Sequence, residues 1–315
     1  MDQAYGLFLY GIGLLTFGGI YSILTLGLNI QWGFTGLFNA GVAGFFAIGA
    51  YVSAILTTAE SARHLGGYDL PIPVGLVAAM VVAGLIAWAM GRICIRLRAD
   101  YLAIATLGIA EIFRLTLKNE LWATNGARGV SYVPKQFETM AEPWNQILFM
   151  LSVLAVVAVL YFLLERARMS PWGRVMSAIR ENEASALAAG KNVERFRIQA
   201  FVVGAAIMGL GGGMMAHYLK FIDPQAADPL TATFLVWVML VVGGSANNKG
   251  AILGAMLMWT IWSATEILTS RLPDELSIRT AYIRVFLIGL VLQFVLQRYS
   301  SGILPEKRLQ SVAER

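Results

Sequence analysis

Between Asp2 and Glu60 the chain runs for 57 residues without a single charged side chain. A soluble core helix does not extend that far, whereas a bilayer accommodates the run as two spans of roughly 20 residues with a turn near Gln31, Trp32 and Gly33. The remaining sequence agrees, because 57% of the 315 residues are hydrophobic and only 14% are charged, too few to build a water-soluble surface. The start, Met1-Asp2-Gln3, lacks the basic region of a cleavable signal peptide, so the first apolar run is expected to be retained as a span.

Low-charge segments at 6–28, 34–58, 70–91, 101–117, 143–164, 198–219, 229–248, 250–270 and 280–297 each approach bilayer length. The expected fold is therefore an all-α polytopic membrane protein with about nine transmembrane helices, the whole chain 1–315 forming one transmembrane domain. Glycine breaks at Gly33, Gly36 and Gly41, or at Gly243-Gly244, would make a segment re-entrant and change the count to eight or ten. Alternating the sides puts 92–100, 165–197, Lys249 and the tail from Arg298 on one face, with fifteen Lys and Arg against seven on the other. The positive-inside rule makes the basic face cytoplasmic and the N-terminus external. Ser131 and Asp274 are then expected outside, Ser177 and Ser311 inside.

This distribution also explains the formal net charge of +5, which is spread over loops as an orientation signal and forms no basic stripe for nucleic acid. Cys94 is the only cysteine, and His64 and His217 have no metal-ligand spacing, so neither disulfide nor metal chemistry is expected. No Ser/His/Asp set, HExxH motif or paired acidic metal motif suggests an enzyme. Tryptophans near span ends, among them Trp32, Trp88, Trp122, Trp144, Trp172 and Trp237, read as an aromatic belt. Trp237, Trp259 and Trp262, inside spans, read as packing residues. Glycines clustered within spans either let helices approach closely or mark breaks along a polar path. The stretches 33–55 and 243–265 share a Gly-rich start, an Asn and a long apolar run, a faint sign of internal duplication.

The segment 165–197 is polar and reads as two short capped helices. Ser170 and Pro171 suit the N-cap and first position of one, while Asn182, Glu183 and Gly190 suit the cap, first turn and glycine stop of the second. The Ala-rich stretch between them has the small footprint that fits a groove on another protein.

Here the chain resembles the LivM-type permeases of branched-chain amino acid ABC transporters, a family of high-affinity amino acid, amide and urea uptake systems. The likeness rests on Ser170-Pro171-Trp172-Gly173-Arg174, then Ala178-Ile179-Arg180-Glu181-Asn182-Glu183, and Gly190. Four further stretches agree: Gly27-Leu28-Asn29 with Gly33-Phe34-Thr35-Gly36, Leu97 to Ile104, Thr124 to Gly129, and Gly243-Gly244-Ser245. The resemblance implies that Ser170, Pro171, Gly173, Arg174, Arg180, Glu181, Glu183 and Gly190 belong to an ATPase-coupling loop, and that Asn29, Gly36 and Asn39 are candidate path-lining residues. It further implies a bacterial inner-membrane importer with a second permease, two cytoplasmic ATPases that bind ATP and Mg, and a periplasmic substrate-binding protein. This chain carries no phosphate-cradling glycine loop of its own. Where the family shows Gly-Thr and then Gly-Pro, this chain reads Ala246-Asn247-Asn248-Lys249-Gly250-Ala251; where it often shows Ser and His, Phe38, Asn39 and Ala40 stand here. Leucine-like and other neutral amino acids, amides and urea all stay open as cargo.

Four ionisable residues fall within assigned spans: Glu111, Arg114, Glu266 and Arg284. Glu111 and Arg114 share a helix face, and Glu266 and Arg284 lie at matching depths of adjacent spans, so two structural ion pairs are expected. The alternatives are contact with a zwitterionic cargo or snorkelling toward the interface. His217, near a span end, reads as an interfacial side chain. The competing function is an ion-gradient-driven transporter or channel, for which only Glu111 and Glu266 could serve as intramembrane acids.

Overall fold

The computed structural model describes residues 2–61, 64–269 and 277–306. Asp274, Ser311 and most of the loop 271–279 lie outside the described residues. The helices are α1 (Asp2–Leu28), α2 (Val42–Thr57), α3 (Ile72–Cys94), α4 (Ala99–Asn119), the single turn α5 (Leu121–Thr124), α6 (Trp144–Met169), α7 (Pro171–Glu181), α8 (Glu183–Ala188), α9 (Val193–Leu219), α10 (Leu235–Gly243), α11 (Asn248–Thr269) and α12 (Ser277–Arg298). Strands β1 (Val130–Ser131) and β2 (Phe221–Ile222) pair antiparallel, with Val130 opposite Ile222.

Five helical stretches are long and apolar enough to cross a bilayer: Ala4–Phe34, Ile72–Cys94, Trp144–Met169, Val193–Leu219 and Asn248–Ile267. Two further apolar helices, Val42–Thr57 and Leu230–Gly243, are shorter than the hydrocarbon thickness of about 30 Å requires. Both follow interruptions. The α1 helix widens into a π-helical turn at Asn29–Phe34, and the chain is irregular from 36 to 41 before α2 begins. The expected continuous span 34–58 is thus corrected to a broken one. The span 229–248 begins as a π-helical turn at Leu230–Phe234 and ends at Gly243, where Gly244 turns with φ +112°.

Protein groups satisfy the backbone freed by the first break, which is the condition for irregular chain at such depth. Gly41 N–H donates to its neighbour Asn39 Oδ1 (2.8 Å), Ala40 N–H to Thr106 Oγ1 on α4 (3.0 Å), and Ala43 N–H to Thr233 Oγ1 (2.9 Å). The start of α2 is thereby capped by side chains from two other elements.

The core is centred on α9, against which α2 and α3 make the most extensive helix contacts; α1 lies between α9, α11 and α6. Small residues permit this closeness. A Cβ on Gly49 would collide with the Gly209 backbone, and one on Gly212 with the Phe46 carbonyl.

The segments assigned to the basic face meet at one end of the bundle. Arg96 pairs with Glu194 at 3.0 Å, Glu165 accepts from Asn248 Nδ2 (3.0 Å), and Asn247 Nδ2 donates to the Pro305 carbonyl (3.1 Å). At the other end Leu65 N–H bonds the Ala123 carbonyl (3.2 Å) and β1 pairs with β2. There the Glu138 carboxylate is held below its ordinary range chiefly by its hydrogen bond from the Lys220 ammonium. Burial beside Phe149 and Tyr218 pushes the Lys135 ammonium down, and its Nζ lies 5.3 Å from the Tyr218 ring.

Candidate functional site

At the basic end, α6 turns sharply into α7 and then α8. Pro171 occupies the first position of α7, as its fixed φ and missing N–H favour. Ser170 sits at the N-cap, but its hydroxyl donates backward to the Ala167 carbonyl (2.6 Å), so the expected side-chain cap is replaced by a bond that closes α6. Arg174 does similar service, donating from Nη1 to the Met169 carbonyl (3.0 Å), and Gly173 packs directly on the carbonyls of the last α6 turn.

The second helix is capped as expected at both ends. Asn182 Oδ1 accepts from Ser185 N–H (2.9 Å), and Gly190 adopts φ +73°. Lys191 N–H reaches the Ala186 carbonyl (3.1 Å) and Gly190 N–H the Leu187 carbonyl (2.9 Å), the paired bonds of a Schellman stop. Ile179, Ala186 and Val193 form a small core beneath the pair, with Val175 and Phe196 packed against it. Glu181 and most of α8 face outward, beside a depression of about 360 Å³ between α7 and α8. Glu183, in the first turn of α8, is held by Arg197, whose Nη2 lies 2.9 Å from Oε2.

Arg180 connects this segment to the first helix break. One guanidinium nitrogen donates to the Gly33 carbonyl at the end of the π-helical turn, and Nη2 donates to both Glu306 carboxylate oxygens (2.9 and 2.7 Å). Gly36, with φ +70°, lies where any Cβ would press on Arg180 Cγ at 3.3 Å. Gly36 is thus placed against α7.

Asn29 is 0% exposed, and its amide is occupied: Oδ1 accepts from Ala246 N–H (2.8 Å) and Nδ2 donates to Asn248 Oδ1 (3.0 Å). Asn248 continues to Glu165, which pairs with Arg168. The network therefore joins α1, α11 and the end of α6.

Asn39 is fully buried, donating to Gln31 Oε1 (2.7 Å), and Gln31 in turn donates to the Phe201 carbonyl (2.8 Å). Trp237 donates to the Asn39 carbonyl (2.9 Å) and packs on Phe38 and Trp32. Gln31, Asn248, Thr106 and Thr233 were missed by motif reasoning. Their signal was present all the same, as polar side chains inside apolar runs that need partners.

The intramembrane charges pair as expected. Arg114 donates to Glu111 from Nε (2.8 Å) and Nη2, on the lateral face of α4, and Arg284 lies 3.6 Å from Glu266, which is 58% exposed. His217 corrects the expectation of an interfacial side chain. It is 1% exposed, with Nδ1 2.7 Å from the Pro134 carbonyl and Nε2 2.8 Å from Ser53 Oγ. A carbonyl only accepts, so Nδ1 carries the proton and the neutral ring accepts from Ser53. The ring pins the 130–138 loop to α2.

A bundle of apolar helices with internal breaks, their exposed backbone satisfied by buried amides and a polar helix pair tied to one break, defines a multi-pass membrane permease. The family model described as branched-chain amino acid transport system / permease component matches residues 11–296. The chain belongs to that family.

Among curated relatives, the high-affinity branched-chain amino acid transport system permease protein LivM of Escherichia coli is 32% identical over 274 residues, 78% of this chain and 61% of that protein. The chain thus spans about three-fifths of the length of the enterobacterial LivM proteins it matches. The probable LivM of Methanocaldococcus jannaschii is 28% identical over 93% of both chains. LivH of E. coli is 24% identical over 78% of this chain and 81% of its own length. No solved structure matches the chain.

Proposed function

We propose that the chain is one permease subunit of an ATP-driven importer of branched-chain amino acids, with the basic end in the cytoplasm of a bacterial cell. Nine crossings, α1, α2, α3, α4, α6, α9, α10 with its preceding turn, α11 and α12, give the charge split the side that the positive-inside rule demands. A second, related permease, two ATPases holding ATP and Mg, and an external binding protein complete the assembly. The LivM and LivH relatives, named as branched-chain amino acid transport permeases, support this reading.

The observation that carries it is Arg180. The exposed α7–α8 pair docks on an ATPase, and Arg180 joins that pair to the Gly33 carbonyl where α1 unwinds. A displacement imposed on α7 thereby acts on a break in the first span. In the ion-gradient alternative, Glu111 and Glu266 would relay protons or coordinate ions, yet each is bound to an arginine near the bundle surface.

The test is uptake of leucine into vesicles holding the permease pair and its ATPases, with the binding protein supplied. Uptake that requires ATP on the ATPase side and survives an ionophore supports the importer. Uptake that ignores ATP and collapses with the ion gradient removes it.

A further inference from the structure

The described residues line a partly open cavity of about 210 Å³ that shares no residue with the Arg180, Asn29 and Asn39 contacts. It runs from the middle of the bundle toward the end opposite Arg180, bounded by α1, α2, α9, α11 and the 226–232 segment. One wall is a fixed stack. Trp259 lies between Phe17 and Tyr21, with ring centroids 4.7 and 4.8 Å away and planes within 23° on each side. Phe46 and Met215 contribute further apolar surface, and no charged side chain lines the space.

Tyr21 and Thr231 bring hydroxyl groups into this otherwise apolar lining, and Tyr21 is the one in the aromatic stack. Its side chain is only 7% exposed, yet its hydroxyl receives no hydrogen bond from any described residue. The buried Tyr51 hydroxyl is also unpartnered but does not line this cavity, whereas Tyr21 does. A polar group entering the cavity takes the place of water at the Tyr21 hydroxyl.

We propose that this cavity receives the branched aliphatic side chain of the transported amino acid as it leaves the external binding protein, with the Tyr21 hydroxyl supplying one hydrogen bond to the polar end of the same molecule. The inference rests on the importer reading and names the site within it. The volume equals roughly seven waters' share of the liquid, enough for a leucine-sized molecule and below the range of about 300 Å³ upward typical of larger ligands. Preformed aromatic walls hold an apolar group without reorganising, and the lack of charge disfavours lysine-like or acidic side chains. Ala232, 3% exposed, lines the same space.

The test uses the complete importer in vesicles at matched permease amounts, with leucine and valine uptake measured side by side. Ala232→Leu fills the cavity and is expected to lower the leucine-to-valine uptake ratio about tenfold. Tyr21→Phe keeps the ring stack and removes only the hydroxyl; uptake of both is expected to fall roughly fivefold at an unchanged ratio. An unchanged ratio with Ala232→Leu overturns the proposal, whether uptake persists or falls in parallel, and so does normal uptake by Tyr21→Phe. A lipid chain as the true occupant gives the unchanged ratio. If wild-type uptake itself needs no ATP, the importer reading fails; if wild-type uptake is ATP-driven and both variants behave as wild type, the cavity assignment alone fails.

Discussion

Arg180 and Glu306 lie 126 positions apart in the sequence and are joined by two hydrogen bonds from a single guanidinium nitrogen. Glu306 is itself held in place. Ile303 N–H and Leu304 N–H donate to the Val242 and Gly243 carbonyls (2.9 Å each), so the segment after α12 is strapped across the end of α10. One arginine thus ties α7 to the first helix break and, through the strap, to α10.

Arg180→Lys keeps the charge but cannot fork between a carbonyl and a carboxylate. It is expected to leave permease levels near wild type and reduce leucine uptake about tenfold or more, because two contacts of a planar fork are replaced by one point charge. Uptake and binding-protein-stimulated ATP hydrolysis in vesicles measure this. Glu306→Gln, which preserves one acceptor, is expected to fall between Arg180→Lys and wild type.

Gly190 stands at φ +73° with no atom within 4 Å of a built Cβ. Substitution therefore costs backbone strain alone, about 1–2 kcal/mol for a β-branched side chain. Gly190→Val is expected to insert normally and lose ATPase stimulation, while Gly190→Asn, which tolerates the left-handed region, is expected to retain most of it. Equal behaviour of the two variants would contradict this account of the helix stop.

Replacing Asn29 by Leu strands the Ala246 N–H and one side of the Asn248 amide in a fully buried place, a loss of about 2–4 kcal/mol. Thermal unfolding of the purified permease should show a clearly lowered midpoint. Asn248→Ala disturbs the same network, so the double variant is expected to lose less than the sum of the two single losses.

Gly212→Ala puts a methyl onto the Phe46 carbonyl and is expected to reduce recovery of folded permease from membranes. Gly108→Ala, with nothing within 4 Å, serves as the control and should be neutral or mildly stabilising on an exposed helix. Size-exclusion profiles after gentle extraction compare the two.

For orientation, a cysteine replacing Tyr132, which is 94% exposed, should react with an impermeant thiol reagent applied to sealed cells. A cysteine replacing Ser177 on α7 should not. Reaction at Ser177 from outside would invert the assigned sides and separate the α7–α8 pair from any cytoplasmic ATPase.

Much of the architecture was legible because it follows from solvation: apolar runs set the helices, and the loops that alternation assigned to one side do meet. Capping chemistry gave α8 its limits, since Asn182 and Gly190 act locally through their own backbone. Sequence reasoning failed where a side chain's partner is distant. Ser170 looks like a cap until the Ala167 carbonyl claims its hydroxyl, and Glu183 looks free until Arg197 reaches it. Asn29 and Asn39 likewise stand out as polar residues in an apolar run, but only the fold shows that their amides are spent on Ala246, Asn248 and Gln31. His217 was misplaced for the same reason, because the loop that covers it arrives from 83 positions away.

Where α2 crosses α9, peptide faces peptide, with Gly49 over Gly209 and Gly212 over the Phe46 carbonyl. Packed helices shear when interlocked side chains step from one set of rotamers to another, and bare main chain has no such set to step between. The α2–α9 crossing is thus main chain on main chain, and α3 joins it with Ala79 and Ala83 directly against Gly209. The irregular backbone lies elsewhere, in the unwound link between α1 and α2 and at the two ends of α10.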